Sequence, residues 1–517
     1  MQCTPEGEGA GRREIRHFID DLRTPDWLID TKTTAKTIRR NERNPVKSTK
    51  TDIVVLGAGP GGYTAAFYAA ERGKKVTMVE MEKRLGGVCL NRGCIPSKAL
   101  LHTAKLISEA EESGFRGVHF EKPTIDLNQM RAWKESILDK LAQGVSTIAQ
   151  RRKVEVMEGR GYFEEAKTLR VETSKGQKYL TFDQAIIATG SRAAMPTAFD
   201  LGNKRIMTST EALEIDEIPQ RLLVVGGGYI GMELGTVYAT LGSHITLVEA
   251  LDTILQGADP DLVRPIIKYA ERKFEDVRVN ARVHKMATSG KQIKVTTEWN
   301  GQTKDELFDR VLVSVGRAPN SANLGLENTG VKLDEKGFIK VNDRQETDEP
   351  HLYAIGDVAG GVLLAHKAYK EARIAVEVIM GEHSAFDHIV IPAVVFTDPE
   401  LAWCGVTEAE ARERKLTFET AKFPWSASGR ALSFDRTDGL TKLIIDPLTE
   451  RILGVGIVGA GAGDLISEAV VAIEMGATAR DLAESVHPHP TLSETLSEAA
   501  EMYYGVATHA LTAKKKS

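Results

Sequence analysis

Two copies of one strand–helix–strand arrangement constrain the fold of this chain more than any other feature. Each copy has a short apolar strand, a glycine-rich turn, a helix of small residues and a second strand that ends in glutamate. The first copy has its turn at 57–62 and its acid at Glu80, and the second has its turn at 226–231 and its acid at Glu249. In both copies the acid follows the first glycine by 23 residues. The repeated unit predicts an α/β protein.

The glycine positions suit a turn that binds a dinucleotide. The first glycine permits the tight turn, the second lets the backbone approach a pyrophosphate, and the third lets helix and strand pack closely. The helix N-terminus offers N–H groups to the phosphates, and the acid accepts hydrogen bonds from a ribose. Two purely structural turns are the alternative, but each copy follows a strand, opens a helix and has its acid. The residues of the two predicted sites are Gly57, Gly59, Gly62 and Glu80, and Gly226, Gly228, Gly231 and Glu249.

The acid of the second site also discriminates between nicotinamide cofactors. Glu249 would repel a 2′-phosphate and would accept a hydrogen bond from a 2′-hydroxyl. The next residues, Ala250, Leu251 and Asp252, supply no cation. The second site is therefore predicted to take NAD rather than NADP. Two dinucleotides on one chain suggest a flavin enzyme, with FAD in one site and NAD in the other.

Two of the cysteines lie just after the first unit. The chain has 517 residues and 4 cysteines, too few for a secreted scaffold held together by disulfides. Cys89 and Cys94 fall within 86–98, so they are expected near the first dinucleotide. Two plain thiols are one alternative. A metal site would need more ligands, and no second Cys/His cluster accompanies the pair, so no metal is predicted.

Composition and charge exclude several classes of function. The formal charge is −5, from 67 basic and 72 acidic side chains, which argues against a nucleic-acid binder. The most apolar stretch, 222–241, carries Glu233 and five glycines, unlike a membrane span. The N-terminus lacks the apolar core of a secretory signal, and eight acids within 1–50 count against a mitochondrial transit peptide. A cytoplasmic protein is expected.

From about residue 51 onward the chain resembles the dihydrolipoamide dehydrogenases, within the pyridine nucleotide–disulfide oxidoreductases. Residues 86–98 match the redox-active disulfide motif of that family. Residues 354–357 and 364–367 match its flavin-contacting segments, and 487–494 match its C-terminal catalytic segment. The motifs occur in the family's order over more than 400 residues. The resemblance implies two Rossmann-like dinucleotide-binding domains, for FAD and NAD, and a C-terminal α+β dimerisation domain.

The pattern along the chain predicts where these domains begin and end. Beyond about residue 389 strand-like and helical runs mix, which indicates a separate α+β domain. The predicted divisions are a polar N-terminal extension at 1–50, a discontinuous FAD-binding domain with the redox disulfide at 51–196 and 317–388, an NAD-binding domain at 197–316, a dimerisation domain at 389–510 and a basic tail at 511–517.

The resemblance also implies roles for individual residues. Cys89 is the interchange thiol, Cys94 is the flavin-facing thiol, and His489 with Glu494 is the acid–base pair. Lys98 lies beside the flavin ring, paired with Glu233. The implied FAD contacts are Gly57, Gly59, Gly62, Glu80, Lys98, Gly161, Asp357 and Ala365, and the implied NAD contacts are Gly226, Gly228, Ile230, Gly231, Glu249, Val283 and Gly316.

The implied reaction oxidises protein-bound dihydrolipoamide to lipoamide and reduces NAD+ to NADH, as the E3 component of 2-oxoacid dehydrogenase complexes. The implied enzyme is a homodimer in which His489 reaches the disulfide of the other subunit. Its expected partners are lipoyl domains and the E2 core of such a complex, or the glycine cleavage H protein. Neither a nucleic acid nor a membrane is expected as a partner. Which complex is served, and what residues 1–50 do, stay open.

The sequence also bears on rival functions, and it departs from the family pattern at two positions. A glutathione-type reductase would want basic residues where Glu249 stands, and a mercuric reductase would have a cysteine pair beyond Cys404. Soluble transhydrogenases of the family lack the disulfide motif. A non-catalytic scaffold or redox sensor is the alternative from another class. Two positions depart from the pattern: Arg92 replaces a residue that is usually small and apolar, and Pro488 precedes His489 where a small residue is common.

Overall fold

The computed structural model describes residues 48–387 and 390–511. Most of the predicted extension, the junction at 388–389 and the basic tail from 512 onward lie outside the described residues. No helix within the described ranges is both long and apolar enough to cross a membrane.

Single helices, groups of helices and runs of consecutive strands follow one another along the chain. Up to residue 193 they are β1 (Ser48–Leu56), α1 (Pro60–Glu71), β2 (Val76–Glu80), α2 (Gly87–Arg92), α3 (Cys94–Glu112), α4 (Leu127–Arg151), β3 (Glu155–Glu158), β4 (Arg160–Glu165), β5 (Thr168–Thr173), β6 (Gly176–Ile187) and β7 (Ser191–Ala193). Up to residue 319 they are β8 (Ile206–Met207), α5 (Ser209–Ala212), β9 (Arg221–Val225), α6 (Tyr229–Leu241), β10 (His244–Val248), α7 (Pro260–Lys273), β11 (Asp276–Arg278), β12 (Arg282–Ser289), β13 (Gln292–Trp299), β14 (Gln302–Phe308), β15 (Arg310–Val313) and β16 (Arg317–Pro319). The rest are β17 (Leu352–Ala354), α8 (Ala365–Ile379), β18 (Ala393–Val395), β19 (Glu400–Gly405), α9 (Glu408–Glu413), β20 (Glu419–Pro424), α10 (Gly429–Ser433), β21 (Leu440–Ile445), β22 (Ile452–Gly459), α11 (Ala462–Glu474), α12 (Ala479–Glu484) and α13 (Glu494–Tyr504).

The first sheet is built around the first strand–helix–strand unit. Its strand order is β3-β2-β1-β6-β5-β4, and β17 adds to β6 from far along the chain. The strands β3, β2, β1, β6 and β17 pair in parallel, while β4 and β5 form an antiparallel excursion. The last four residues of β1 are buried, because α1 covers one face of the sheet. The carboxyl ends of the parallel strands therefore meet at the glycine turn of 57–62.

The start of this sheet corrects one predicted boundary. Residues 48–50, which the sequence assigned to the polar extension, are the first residues of β1. They are exposed, and Ser48, Thr49 and Lys50 pair with Tyr179, Leu180 and Thr181 of β6. The polar side chains carry no strand pattern of their own. The extra pairs form because β6 is 12 residues long and offers backbone partners beyond the apolar part of β1.

The second strand–helix–strand unit lies in a second parallel sheet. Its strand order is β11-β10-β9-β15-β8, with the antiparallel strands β12, β13 and β14 in a small sheet beside it. A two-stranded ribbon of β7 and β16 carries the chain between the two large sheets. A third sheet, β18-β19-β22-β21-β20, is antiparallel and is covered by α11 and α13. The predicted fold class, two Rossmann-like units and a C-terminal α+β part, is confirmed.

A buried ion cluster attaches the third sheet to the second. Lys442 of β21 is 1% exposed, and its Nζ lies 2.6 Å from Asp259, 2.7 Å from Asp261 and 3.0 Å from Glu408. The three acids lie close enough together to hold a metal ion. Lys442, together with Lys422 at 2.7 Å from Asp261, offsets two of their three charges, so the cluster works as an ionic link between α7 and the C-terminal sheet.

Candidate functional site

A deep cavity lies where the first sheet meets α2, α3 and the beginning of α6. It contains roughly 1260 Å³ of empty space. Its walls come from the glycine turn of 57–62, the cysteine segment 87–98, the ribbon at 188–191 and 317–320, and the segment 355–368. These pieces are distant in sequence. The parallel strands bring them to one edge of the sheet, which is where α/β proteins bind their ligands.

The first glycine turn has room for backbone but not for side chains. Gly57 has φ +105°, and a Cβ atom there would collide with the carbonyl oxygen of Ala188. A Cβ atom on Gly62 would collide with the carbonyl oxygen of Gly57. The helix α1 begins at once with Pro60, so its free N–H groups face the cavity edge. A phosphate group could therefore approach this backbone closely.

The acid of the first unit is held against the turn. One carboxylate oxygen of Glu80 accepts a hydrogen bond from the N–H of Ala58 at 2.7 Å, and the other accepts one from the N–H of Glu82 at 3.0 Å. Burial raises the pKa of Glu80 above its ordinary value. The carboxylate lines the cavity beside the turn, where a ribose attached to the phosphates would lie.

The second turn repeats this geometry. Gly226 has φ +103°, and a Cβ atom there would lie 2.5 Å from the carbonyl oxygen of Ser314. Glu249 accepts hydrogen bonds from the N–H of Gly227 at 2.6 Å and from the N–H of Leu251 at 2.8 Å. The two units therefore share one local structure, as their common spacing predicts.

The two cysteines line the cavity from adjacent short segments. Cys89 lies in α2 and Cys94 is the first residue of α3, with Gly93 between the helices. Both are free thiols in this structure, and they are close enough for each to shift the pKa of the other. The pair is thus close enough for sulfur exchange, in one wall of the cavity.

The electrostatic surroundings of the two thiols differ. The hydrogen bond from Cys89 and the charge of Lys98 lower the pKa of Cys94 to about 7, against the opposing effect of burial. The position of Cys94 at the N-terminus of α3 acts in the same direction. The hydrogen bond with Cys94, together with burial, raises the pKa of Cys89. Of the reduced pair, Cys94 is therefore the thiolate.

Lys98 lies one helical turn beyond Cys94 and makes the expected ion pair. Its Nζ lies 2.8 and 2.9 Å from the two carboxylate oxygens of Glu233, whose side chain is 4% exposed. Phe396, which was not predicted from the sequence, makes a cation–π contact: its ring centroid lies 4.5 Å from the Lys98 Nζ. The N–H of Phe396 also donates to Glu233 at 3.1 Å. Helix α3, helix α6 and the residue after β18 thus meet at this ion pair.

A second polar group on the cavity wall was only partly anticipated. Asp357, a predicted flavin contact, accepts a hydrogen bond from the hydroxyl of Ser191. The Nε of Arg317 donates to the same hydroxyl at 2.7 Å and lies 3.7 Å from Asp357. Ser191 and Arg317 belong to β7 and β16, and no sequence motif marks them. Their contact exists because the ribbon crosses over the cavity.

The predicted cofactor residues divide into those that line this cavity and those that do not. The lining set is Gly57, Gly59, Glu80, Lys98, Ile230, Asp357 and Ala365. The others are Gly62, Gly161, Gly226, Gly228, Gly231, Glu249, Val283 and Gly316. Gly62 lies beneath the turn, and Gly161 lies within β4 against Leu56 and Leu169. Most of the second group surrounds the second turn, so their assignment to NAD stays a prediction.

The predicted acid–base pair lies in the C-terminal part of the chain. The Nδ1 of His489 lies 2.8 Å from Glu494, whose other oxygen accepts the N–H of Thr491 at 2.7 Å. Burial works to raise the pKa of Glu494, but these two hydrogen bonds hold it below the ordinary value. His489 is 72% exposed and does not line the cavity of its own chain. Its neighbour His487 is bound to Glu468 at 2.7 Å and is only 9% exposed.

Comparisons with known proteins agree with this architecture. Residues 51–372 match the family model described as pyridine nucleotide-disulphide oxidoreductase, and residues 391–500 match its dimerisation domain. A dihydrolipoyl dehydrogenase of Haemophilus influenzae is 44% identical over 471 residues, covering 91% of this chain and 98% of that protein. One from Staphylococcus aureus is 44% identical over 462 residues, with 89% and 98% covered.

Solved structures extend the likeness. The crystal structure of LpdA from Mycobacterium tuberculosis has a TM-score of 0.81 and 28% identity, covering 88% of this chain and 99% of that chain. The HOCl-induced flavoprotein disulfide reductase RclA from Escherichia coli has a TM-score of 0.78 and 27% identity, covering 87% and 99%.

Proposed function

The chain belongs to the pyridine nucleotide-disulphide oxidoreductase family, and we propose that it serves as the dihydrolipoyl dehydrogenase (E3) component of a 2-oxoacid dehydrogenase complex. It oxidises dihydrolipoamide to lipoamide and reduces NAD+ to NADH, with FAD as its flavin cofactor. The observation that supports this reaction best is the pair of free thiols, Cys89 and Cys94, in the wall of the cavity at the first dinucleotide turn.

The cavity fits FAD on its own geometry. The glycine turn accepts only backbone, the start of α1 offers N–H groups to the pyrophosphate, and Glu80 faces the ribose. Lys98 and Asp357 line the deeper part of the cavity, beside Cys94. These residues would hold FAD, which would supply two-electron chemistry there, between the dithiol and the hydride that NAD+ accepts.

The protein's own groups carry out the sulfur chemistry. A thiolate of dihydrolipoamide attacks the sulfur of Cys89, and the bond between the two cysteine sulfurs breaks, leaving Cys94 as a thiolate. The second substrate thiol then attacks the mixed disulfide, so the substrate leaves as a cyclic disulfide and Cys89 keeps a proton. Lys98 stabilises the negative charge on Cys94, one turn away on α3. Two electrons have then moved from substrate to protein.

A base must remove the protons of the substrate thiols. His489 suits this role because a ring nitrogen of imidazole can accept a proton, and Glu494 orients the ring through its contact with Nδ1. The dimerisation domain supports a homodimer. Since His489 does not line the thiol cavity of its own chain, each active site would combine Cys89 of one protomer with His489 of the partner subunit.

The wider biological setting follows from the reaction. A dihydrolipoyl group is presented on a lipoyl domain, so the partners are such domains with the E2 core, or the glycine cleavage H protein. The place of action is the cytoplasm. Reduction of a purified lipoyl domain by NADH, and its reoxidation by NAD+, in the presence of this protein tests this assignment.

The NAD preference is the first prediction. In a steady-state assay with dihydrolipoamide, NAD+ should give a kcat/KM about 100-fold above that of NADP+, the equivalent of one lost hydrogen bond to a charged group. The reason is that Glu249 would bind the 2′-hydroxyl and would repel a 2′-phosphate. Equal use of NADP+ would contradict only the role given to Glu249. Absence of turnover with either nucleotide would contradict the proposed reaction.

The second prediction concerns pH. A thiolate beside an oxidised flavin produces a long-wavelength absorption band, and in the two-electron-reduced enzyme this band should follow the ionisation of Cys94. Because the pKa of Cys94 is lowered to about 7, the thiolate is present above that pH and is lost as pH falls through it. The band should therefore weaken on acidification and be absent in Cys94→Ser at every pH. A band that strengthens on acidification contradicts the assignment.

A further inference from the structure

Arg92 departs from the family pattern, and its position in the structure gives it a function. It is the last residue of α2, between the two cysteines, and its side chain lines the cavity with about one third of its surface exposed. The other end of α2 touches the phosphate-binding turn, because a Cβ atom on Gly87 would lie 2.6 Å from the Cα of Gly59. The short helix therefore joins the phosphate turn to the thiols.

The guanidinium group of Arg92 is bound to Glu82. Glu82 lies two residues after Glu80, the acid that is expected to bind the ribose. Glu82 lines the same cavity, and its N–H donates to Glu80 at 3.0 Å. A continuous set of polar contacts thus runs from the turn through Glu80 and Glu82 to Arg92. This set holds the guanidinium group of Arg92, paired with Glu82, on the cavity wall beside Glu80.

The other two cations that line the cavity are bound to groups other than Glu80 and Glu82. Among the described residues that line it, the basic side chains are Arg92, Lys98 and Arg317. Lys98 is paired with Glu233, and Arg317 is bound to Ser191 beside Asp357. A pyrophosphate brings two negative charges, which the N-terminus of α1 only partly offsets. Arg92 is the cation on the side where these charges would lie.

We propose that Arg92 is a cofactor-holding residue of this protein, which donates a hydrogen bond to the pyrophosphate of FAD and is held in position by Glu82. This inference rests on the proposed binding of FAD in the cavity. A guanidinium group can donate to Glu82 and to a phosphate oxygen together, since it has five N–H donors in a planar arrangement. The apolar residue usual at this position can do neither.

The test is the rate at which the holoenzyme releases FAD, followed by the rise of free flavin fluorescence on dilution at elevated temperature. Arg92→Val should release FAD about tenfold faster than the unchanged protein, as expected from losing one charge-assisted hydrogen bond. Arg92→Lys should fall between the two, and Glu82→Gln should also release FAD faster. Added NaCl should accelerate release from the unchanged protein more than from Arg92→Val, a difference that a purely structural role would not produce.

Arg84 provides a matched control, because it lies in the loop before α2 that also contains Glu82. It pairs with Glu135 at 3.0 Å and Asp139 at 2.5 Å on α4, and it does not line the cavity. Arg84→Val should release FAD at the unchanged rate. The proposal is overturned if Arg92→Val holds FAD as firmly as the unchanged protein, or if Arg84→Val loosens FAD equally. If the unchanged protein binds no FAD at all, the proposed function itself fails, so the two failures are distinguishable.

Discussion

Cys89→Ser should abolish dihydrolipoamide oxidation while the protein keeps its bound flavin. A hydroxyl cannot form the mixed disulfide, so kcat should fall about a thousandfold or more, as for the loss of other enzymic nucleophiles. The rate of NADH formation from dihydrolipoamide and NAD+ measures the loss. The reduction of a quinone by NADH should persist, because that electron path needs the flavin and not Cys89.

Cys404 offers the control for this experiment. It lies in β19, is 2% exposed, and burial raises its pKa to about 12. A thiol in such surroundings is unreactive, so Cys404→Ser should retain turnover. An active Cys89→Ser enzyme would contradict the thiol mechanism, and loss of the quinone reaction in the same variant would point instead to a collapsed flavin site.

His489→Gln should reduce turnover by about a hundredfold to ten-thousandfold, the usual contribution of a general base. The amide cannot accept the substrate proton, although its size and its contact with Glu494 are similar. The pH dependence of the residual activity should lose the limb that belongs to the imidazole. His487→Gln is the matched control, because that ring is bound to Glu468 and is nearly buried. It should keep turnover.

Mixed dimers test whether the site is shared. A dimer with one Cys89→Ser subunit and one His489→Gln subunit contains one site with both defects and one site with neither. Random mixing of the two variants should therefore restore about a quarter of the unchanged activity, since half of the dimers are mixed and each has one intact site. Mixtures that show no recovery would place His489 at the thiols of its own chain.

The glycine turns and their acids could be predicted from sequence because their geometry is local. A Cβ atom on Gly62 would collide with Gly57, and Glu80 accepts hydrogen bonds from the N–H groups of Ala58 and Glu82. All of these residues lie within or directly after one strand–helix–strand unit. In such a case a short sequence motif contains every residue that the local geometry needs. The same holds for Cys89 and Cys94, whose separation by four residues across two helix ends brings their thiols together.

Contacts between distant segments were predicted only in part. The pair of Lys98 and Glu233 spans 135 residues and was expected through the family resemblance alone. Phe396, which packs on that pair, and Arg317, which holds Ser191, were missed. These side chains have no shared motif, because they come from different domains and meet only after the domains pack. Residues 48–50 were also missed as strand, since β6 supplies their pairing.

By itself the sequence determined the two dinucleotide turns, the reactive cysteine pair and, through resemblance, the family and its reaction. Those features depend on backbone positions a few residues apart, where steric limits act directly on residue type. Only the tertiary structure decided that Arg92 pairs with Glu82 in the cavity wall and that Phe396 packs on the pair of Lys98 and Glu233. Both depend on charges brought together by packing, and electrostatic energy depends on distance in space and not on distance along the chain.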